Sequence, residues 1–320
     1  MKWSYSAHAA MRRCQRMFIS GHVMPSYNAR DAERRKAYVL KQLQHISAWQ
    51  GSVVHQVLAS QLVPALRSGY PVSPAALASV AIDLARRQFA FSAAHRYREP
   101  GQSKRAARDE YCALFAHEHD WSVGEEDISR VEKIISGCFH HLDGQTDFLA
   151  TLRAGSNHVA EPPLSFRLNG TTILATPDLV FLRRNGGLSV VDWKIAASGT
   201  SDYSRQLLVY ALAVMRCGRW PGVSAEEIEL VEANLLRDAI RYHPVSAARL
   251  DDAEDFLYRS LSDMEALIGP RRFEELDMDE FDVAEKPGTC RHCNFNSLCV
   301  RRLAAASEPA EAMAAQGRLW

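Results

Sequence analysis

Leu188-Ser189-Val190-Val191-Asp192-Trp193-Lys194-Ile195 is the stretch on which the reading of this chain turns, because two charges sit inside a run of strand-forming apolar residues. An Asp and a Lys in such a run are half-buried, so they must pair with each other or bind a cation. Side chains alternate along a strand, and the two-residue offset therefore sets Asp192 and Lys194 on one face. The stretch Thr172 to Leu182 reads as the preceding strand, with Asn185-Gly186-Gly187 as the turn between them. It carries Pro177-Asp178, so Asp178 can converge on Asp192 and Lys194.

Further out, Leu164 to Leu168 with Asn169-Gly170 adds another strand and turn, which makes an antiparallel meander from 164 to 193. A helix is predicted from Ser204 to Cys217, then strands over Ile228 to Leu236 and Ile240 to Val245, then a helix from Asp251 to Ile268. The first half is helical in pattern. Two helices over 37–67 are expected to meet near Trp49-Gln50-Gly51, and Ser73-Pro74 opens a helix towards Pro100. Residues 103–118 and 125–153 are helical as well. The chain is thus α/β, with a large α-helical lobe ahead of the sheet. The expected division is an N-terminal segment 1–36, a helical lobe 37–160, a sheet-bearing core 161–268, a cysteine segment 269–303 and a flexible tail 304–320.

With 320 residues, 47% hydrophobic and 24% charged, the chain can bury one large or two moderate cores. No apolar run is long enough to span a bilayer, and Met1-Lys2-Trp3-Ser4 lacks the apolar segment of a secretory signal, so a cytoplasmic protein without membrane contact is expected. The formal charge is zero but unevenly spread: residues 1–110 carry 17 Lys and Arg against 6 Asp and Glu, leaving 21 against 32 for the remainder. The basic part could follow a phosphate backbone, or its cations could pair with acids elsewhere.

Seven cysteines cannot all be paired in disulfides. Cys290, Cys293 and Cys299 have the spacing C-x2-C-x5-C, which suits one metal centre, tetrahedral zinc or an iron-sulfur cubane, and Cys14 is the best fourth ligand. Cys112, Cys138 and Cys217 read as small buried hydrophobes.

Two carboxylates with a lysine match the needs of phosphodiester hydrolysis, namely oxygen ligands for Mg2+ or Mn2+, a group to position the attacking water, and positive charge near the phosphorus. A plain Asp-Lys salt bridge at a strand end is the bland alternative. His55 in Gly51-Ser52-Val53-Val54-His55, Pro177-Asp178, Asp192-Trp193-Lys194 and Gln206-Leu207-Leu208-Val209-Tyr210 follow in an order that resembles the RecB-like branch of the PD-(D/E)XK nuclease superfamily. The cysteine-bearing members of that branch, among them CRISPR adaptation nucleases and AddB-type nuclease domains, are similar at both termini. Cys14-Gln15-Arg16-Met17-Phe18 departs from their C-P-R-x-F-like element only at the proline.

The resemblance implies a restriction-endonuclease-like core, a mixed central sheet flanked by helices, closed by a C-terminal cysteine cluster. It implies that His55, Asp178, Asp192 and the carbonyl of Trp193 ligate Mg2+ or Mn2+, that Asp178, Asp192 and Lys194 are catalytic, and that Gln206 and Tyr210 hold the substrate strand or brace the lysine. Cys14, Cys290, Cys293 and Cys299 would carry a [4Fe-4S] cluster, with structural Zn2+ as the rival. The implied activity is cleavage of single-stranded DNA or DNA ends in repair, CRISPR adaptation or antiphage defence. No G-x-x-x-x-G-K-[ST] motif is present, so unwinding would need a helicase partner. A non-catalytic nucleic-acid-binding subunit is the alternative. Glu161 is a further, weaker acidic candidate, since Glu161-Pro162-Pro163 can simply end a helix.

Overall fold

The computed structural model describes residues 2–197 and 202–300. The expected tail, 304–320, lies outside them. The described residues form two compact units, one within 2–5, 46–90 and 124–263, the other within 6–45, 91–123 and 264–300.

The first unit holds eight strands in two sheets. β2 (Ser156–Ala160), β5 (Leu179–Leu182), β6 (Leu188–Lys194), β7 (Ile228–Asn234) and β8 (Ala239–His243) form a five-stranded sheet in the order β2-β5-β6-β7-β8. β6 and β7 are parallel while the other pairs are antiparallel. A parallel pair needs a long crossover, which the helix Ser204–Arg216 provides. Its residues from Leu207 to Val214 are all buried, and every residue of β6 except Lys194 is buried too. This near-continuous apolar reading marks the central strand.

β3 (Leu164–Leu168) and β4 (Thr171–Ala175) form a separate three-stranded sheet with β1 (Lys2–Trp3), in the order β1-β4-β3. The expected continuous meander is therefore broken: Thr172 to Leu182 is two strands in two sheets, divided at Thr176-Pro177-Asp178, where proline can neither donate to a ladder nor keep the preceding residue in register. Asn169 and Gly170 have φ of 44° and 74°, the left-handed pair a tight hairpin requires. The N-terminus is fixed by Trp3, fully buried, whose Nε1 donates to Ser260 Oγ at 2.8 Å and whose ring meets Phe256 edge-on.

The helices differ from the sequence reading in their joints. Helix Ile46–Val57 runs unbroken through Trp49-Gln50-Gly51, and the break expected there falls at 41–45. Gln44 causes it by leaving the helix to bridge Ala113 and Phe115, exchanging backbone hydrogen bonds of 2.8 Å with each. A Cβ at Gly51 would lie 3.7 Å from Ile195 Cβ, an ordinary contact, so the helix passes Gly51 without needing a glycine there. The Ser73-Pro74 helix ends at Ala93, and 103–118 is not one helix but short turns around an extended Cys112–Leu114. The expected 125–153 helix is two, Glu125–Gly144 and Thr146–Ala154.

The second unit packs Ala37, Leu40, Phe91, Tyr97, Phe115, Phe295 and Leu298 into its core. Several arginines of the basic first third are paired with acids, Arg16 with Asp279, Arg34 with Glu274, and Arg98 with Glu118. In the first unit Arg86 pairs with Glu132. Four cations of the basic first third are thus paired with acids later in the chain. Among the described residues no helix is long and apolar enough to cross a membrane.

Candidate active site and cysteine cluster

His55, Asp178, Asp192, Lys194, Gln206 and Tyr210 all lie in the first unit, and one chain of contacts joins them. Asp178 enters just ahead of β5, and its carboxylate is held on both sides. Oδ1 lies 3.0 Å from His55 Nδ1, and Oδ2 accepts from the backbone N–H of Trp193 at 2.7 Å. Asp192, 3% exposed, sits near the end of β6 with Lys194 Nζ at 2.5 Å from its Oδ2. Lys194 also donates to Gln206 Oε1 at 3.1 Å, and Gln206 Nε2 donates to Tyr210 Oη at 2.6 Å. Gln206 and Tyr210 are one turn apart on a helix, which stacks them.

Burial governs the protonation of this group. It raises the Asp192 carboxyl to about 6, with Lys194 opposing and Asp178 adding to the rise. For His55, burial pulls the imidazole down, but the hydrogen bond and charge of Asp178, with the charge of Asp192, outweigh it and leave the pKa above its usual value. Tyr210 is pushed up, first by burial and then by the charge of Asp192.

Two side chains beside these were missed in the sequence. Tyr203 presents its ring to Lys194 Nζ, 4.1 Å from the centroid, a cation–π contact. Glu232 lies on β7 opposite Asp192, 1% exposed, with Arg241 Nη1 at 3.3 Å and His243 Nε2 at 3.0 Å. The same signal that exposed Asp192, a charge inside an apolar strand, is present in Ile228 to Asn234. Glu161 is exposed, at a φ of 44°, and its backbone N–H donates to Asp178 O at 2.9 Å, which sets it beside Asp178.

The donor set suits a cation. Asp178 and Asp192 bring two carboxylates to the ends of adjoining strands, and Asp192, buried, is held by Lys194 alone among the cations. As folded, however, no three His, Cys, Asp or Glu side chains among the described residues form a ready metal cage. The protein's own donors, His55, Trp193 N–H and Lys194, occupy the oxygens instead.

In the second unit Cys14, Cys290, Cys293 and Cys299 are near enough to sense one another's charge. Burial, then the neighbouring Cys14, Cys299 and Cys290, push Cys293 up to about 11, and burial also raises Cys299, with Arg16 opposing. All four are free thiols. Arg16 is buried, donates from Nε to Phe281 O at 2.9 Å, and keeps Nη1 without an acceptor. As folded, the four thiols do not form a ready metal cage among the described residues, and the Arg16 guanidinium beside them is paired with Asp279. Cys112 and Cys138 are buried, both pushed up to about 12 by burial, while Cys217 is half-buried.

A mixed sheet flanked by helices, with Asp-x-Lys closing its central strand and a second Asp at the head of the adjoining one, is the restriction-endonuclease-like core of a nuclease. The chain belongs to the PD-(D/E)XK nuclease superfamily, whose sequence profile matches residues 2–300. Nucleases of this superfamily generally work with Mg2+ or Mn2+. Two solved structures are similar in part. The crystal structure of SSO0001 is 16% identical, over 69% of this chain and 96% of that one, with a TM-score of 0.31. That of a candidate exonuclease from Eubacterium rectale is 15% identical, over 93% and 100%, with a TM-score of 0.34. No curated protein matches the chain.

Proposed function

We propose that this protein is a divalent-metal-dependent deoxyribonuclease that processes single-stranded DNA or DNA ends. The observation that carries this reading is the buried Asp192–Lys194 pair, joined on one side to Asp178 and His55 and on the other to Gln206 and Tyr210. A salt bridge serving stability alone has no use for a hydrogen-bonded Gln and Tyr on the lysine, nor for a surplus carboxylate.

In this reading His55, Asp178, Asp192 and the Trp193 carbonyl hold Mg2+ or Mn2+, which supplies Lewis-acid polarisation of the phosphoryl oxygens. Lys194 directs the attacking water and offers positive charge as negative charge grows on the phosphate. Gln206, itself held by Tyr210, fixes the direction of the Lys194 ammonium, and Tyr203 covers it. Cys14, Cys290, Cys293 and Cys299 hold a [4Fe-4S] cluster, or structural Zn2+ in its place, which ties the early and late segments of the second unit together. The setting is DNA repair, CRISPR adaptation or antiphage defence, with a helicase supplied by a partner.

The test is cleavage of end-labelled single- and double-stranded DNA with Mn2+, Mg2+ or EDTA, using protein purified without oxygen. Metal-dependent cutting by the wild type that disappears in Lys194→Ala supports the reading, and the product ladder gives the polarity. No cutting by the fully loaded wild type would overturn it in favour of a nucleic-acid-binding subunit.

A further inference from the structure

A second concavity opens in the first unit at the opposite end of the five-stranded sheet. It encloses about 640 Å³ between the last turn of the helix Val63–Ser68, the start of β2 and the turn that follows the helix Ser204–Arg216. That volume lies within the range of small-ligand sites. Ser156 pairs with Leu182 and Ala160 with Leu179, so the cleft adjoins the end of β5 remote from Asp178. The four residues of β5 set the separation at about 13 Å.

The chemistry of its walls is specific. Arg67 and Arg219 are exposed, and among the described residues neither is in an ion pair. The Arg219 guanidinium lies over the Trp220 ring, 5.2 Å from its centroid, which orients both. His158 is 2% exposed and stacked on Phe181. Its Nε2 lies 2.8 Å from Leu152 O, a carbonyl that can only accept, so Nε2 carries the proton and Nδ1 is an acceptor. Nδ1 is buried with no partner. Burial and the nearby charge of Arg67 hold this imidazole below its usual pKa, so it stays neutral. Asn157 adds an amide from the irregular start of β2, at a left-handed φ of 51°.

Two exposed guanidinium groups without an ion-pair partner among the described residues suit an anion, the half-buried Trp220 indole offers ring area, and a neutral imidazole and an amide offer polar contacts. No carboxylate lines the cleft, which argues against a cation. We propose that this concavity is a nucleotide subsite, with the phosphate between Arg67 and Arg219, the base against Trp220, and the polar edge of the base near His158 and Asn157. The nucleotide has two sources. It can be one unit of a DNA strand running along the sheet from the Asp192 end, about four stacked nucleotides away at 3.4 Å each. It can equally be a free nucleotide. The first source rests on the nuclease reading of the other end of the sheet, and the second does not.

The experiment is equilibrium binding in EDTA, where no cleavage occurs. A fluorescent single-stranded decamer and free dAMP are titrated against the wild type, the double variant Arg67→Ala/Arg219→Ala, and Trp220→Ala. The double variant should weaken decamer binding at least ten-fold and flatten the slope of log K against log salt by about 1.4, the share of two phosphate contacts on a single strand. Trp220→Ala should weaken it five-fold or more through lost stacking. Loss of dAMP binding in the same variants assigns the free nucleotide as well, and decamer loss without dAMP binding assigns the strand alone. Because the arginines are exposed, their truncation leaves the core packing untouched, and Arg67→Lys/Arg219→Lys, which keeps the charge, should preserve most of the salt slope. Unchanged decamer and dAMP affinity in the double variant and in Trp220→Ala would overturn the proposal. Cleavage of the same decamer with Mn2+ by wild type and by Lys194→Ala tests the nuclease reading separately, so the failure of either is distinguishable.

Discussion

His55 Nδ1 lies 3.0 Å from Asp178 Oδ1, a contact between residues 123 positions apart that ties a helix of the first unit to the head of β5. It makes the histidine's protonation a reporter of the carboxylate. In metal-free protein, His55 should titrate above 6.5, and in Asp178→Asn below it, because burial then acts with less opposition. Histidine NMR in EDTA follows both; an unshifted His55 in the variant would rule the coupling out.

Asp192 and Lys194 neutralise each other out of water, and removing one leaves a buried charge. Lys194→Ala should lower cleavage by about 100-fold or more while DNA binding in EDTA is retained. It should also melt lower than the wild type, and Mn2+ should raise its Tm more than the wild type's, since the cation then replaces the missing ammonium. Differential scanning fluorimetry with and without Mn2+ tests this, and equal Tm shifts would count against it.

Gly155 packs where no side chain fits, because an added Cβ would stand 2.8 Å from Phe181 Cε2 and 3.1 Å from Leu182 O. Both neighbours belong to β5, so neither can yield without disturbing the sheet. Gly155→Ala should cost about 1–3 kcal/mol of stability, read from the midpoint of urea unfolding. A variant as stable as the wild type would mean that β2 shifts to make room.

The four clustered thiols and the three outlying ones should separate cleanly. Cys14→Ser and Cys299→Ser should each lower bound iron or zinc and the Tm, whereas Cys112→Ser should leave metal content per folded molecule unchanged. Elemental analysis with visible absorption distinguishes iron from zinc. Arg16→Met should lower metal retention without altering the thiol count, because a buried positive charge beside the cluster is lost.

His22 is held down to about 4, chiefly by burial and secondly by Lys41. The unfolded chain takes up its proton as pH falls through 6.5, and the folded chain only near 4, so His22 lowers stability progressively across that window. His22→Gln should flatten the decline in Tm between pH 6.5 and 4, with both proteins behaving alike above pH 7.

Local pattern made much of the site legible. Asp192 and Lys194 could be found because a charge inside an apolar strand is expensive unless satisfied, and the strand's period of two fixed their common face. Gln206 and Tyr210 were named by the family resemblance alone, and the helical period explains only why the two stack. Glu232 carried the same signal as Asp192 but lacked a partner at a fixed offset in sequence, and its partners Arg241 and His243 appear only across the β7–β8 pairing. Tyr203 gave no periodic signal, since it precedes the helix whose first turn brings it to Lys194.

The sequence alone determined β3, β6, β7 and β8 in outline, the hairpin turns, the Asp-x-Lys face and the three-cysteine spacing, since each follows from backbone periodicity and residue chemistry over short distances, whereas β1 and β2 gave no such signal. Only tertiary structure decided that Thr172 to Leu182 serves two sheets, that Gln44 ends a helix by bridging Ala113 and Phe115, and that acids far along the chain pair with Arg16 and Arg34. Those outcomes depend on which distant segment supplies a hydrogen-bond partner or an opposite charge, and that choice is made by packing the whole unit at once.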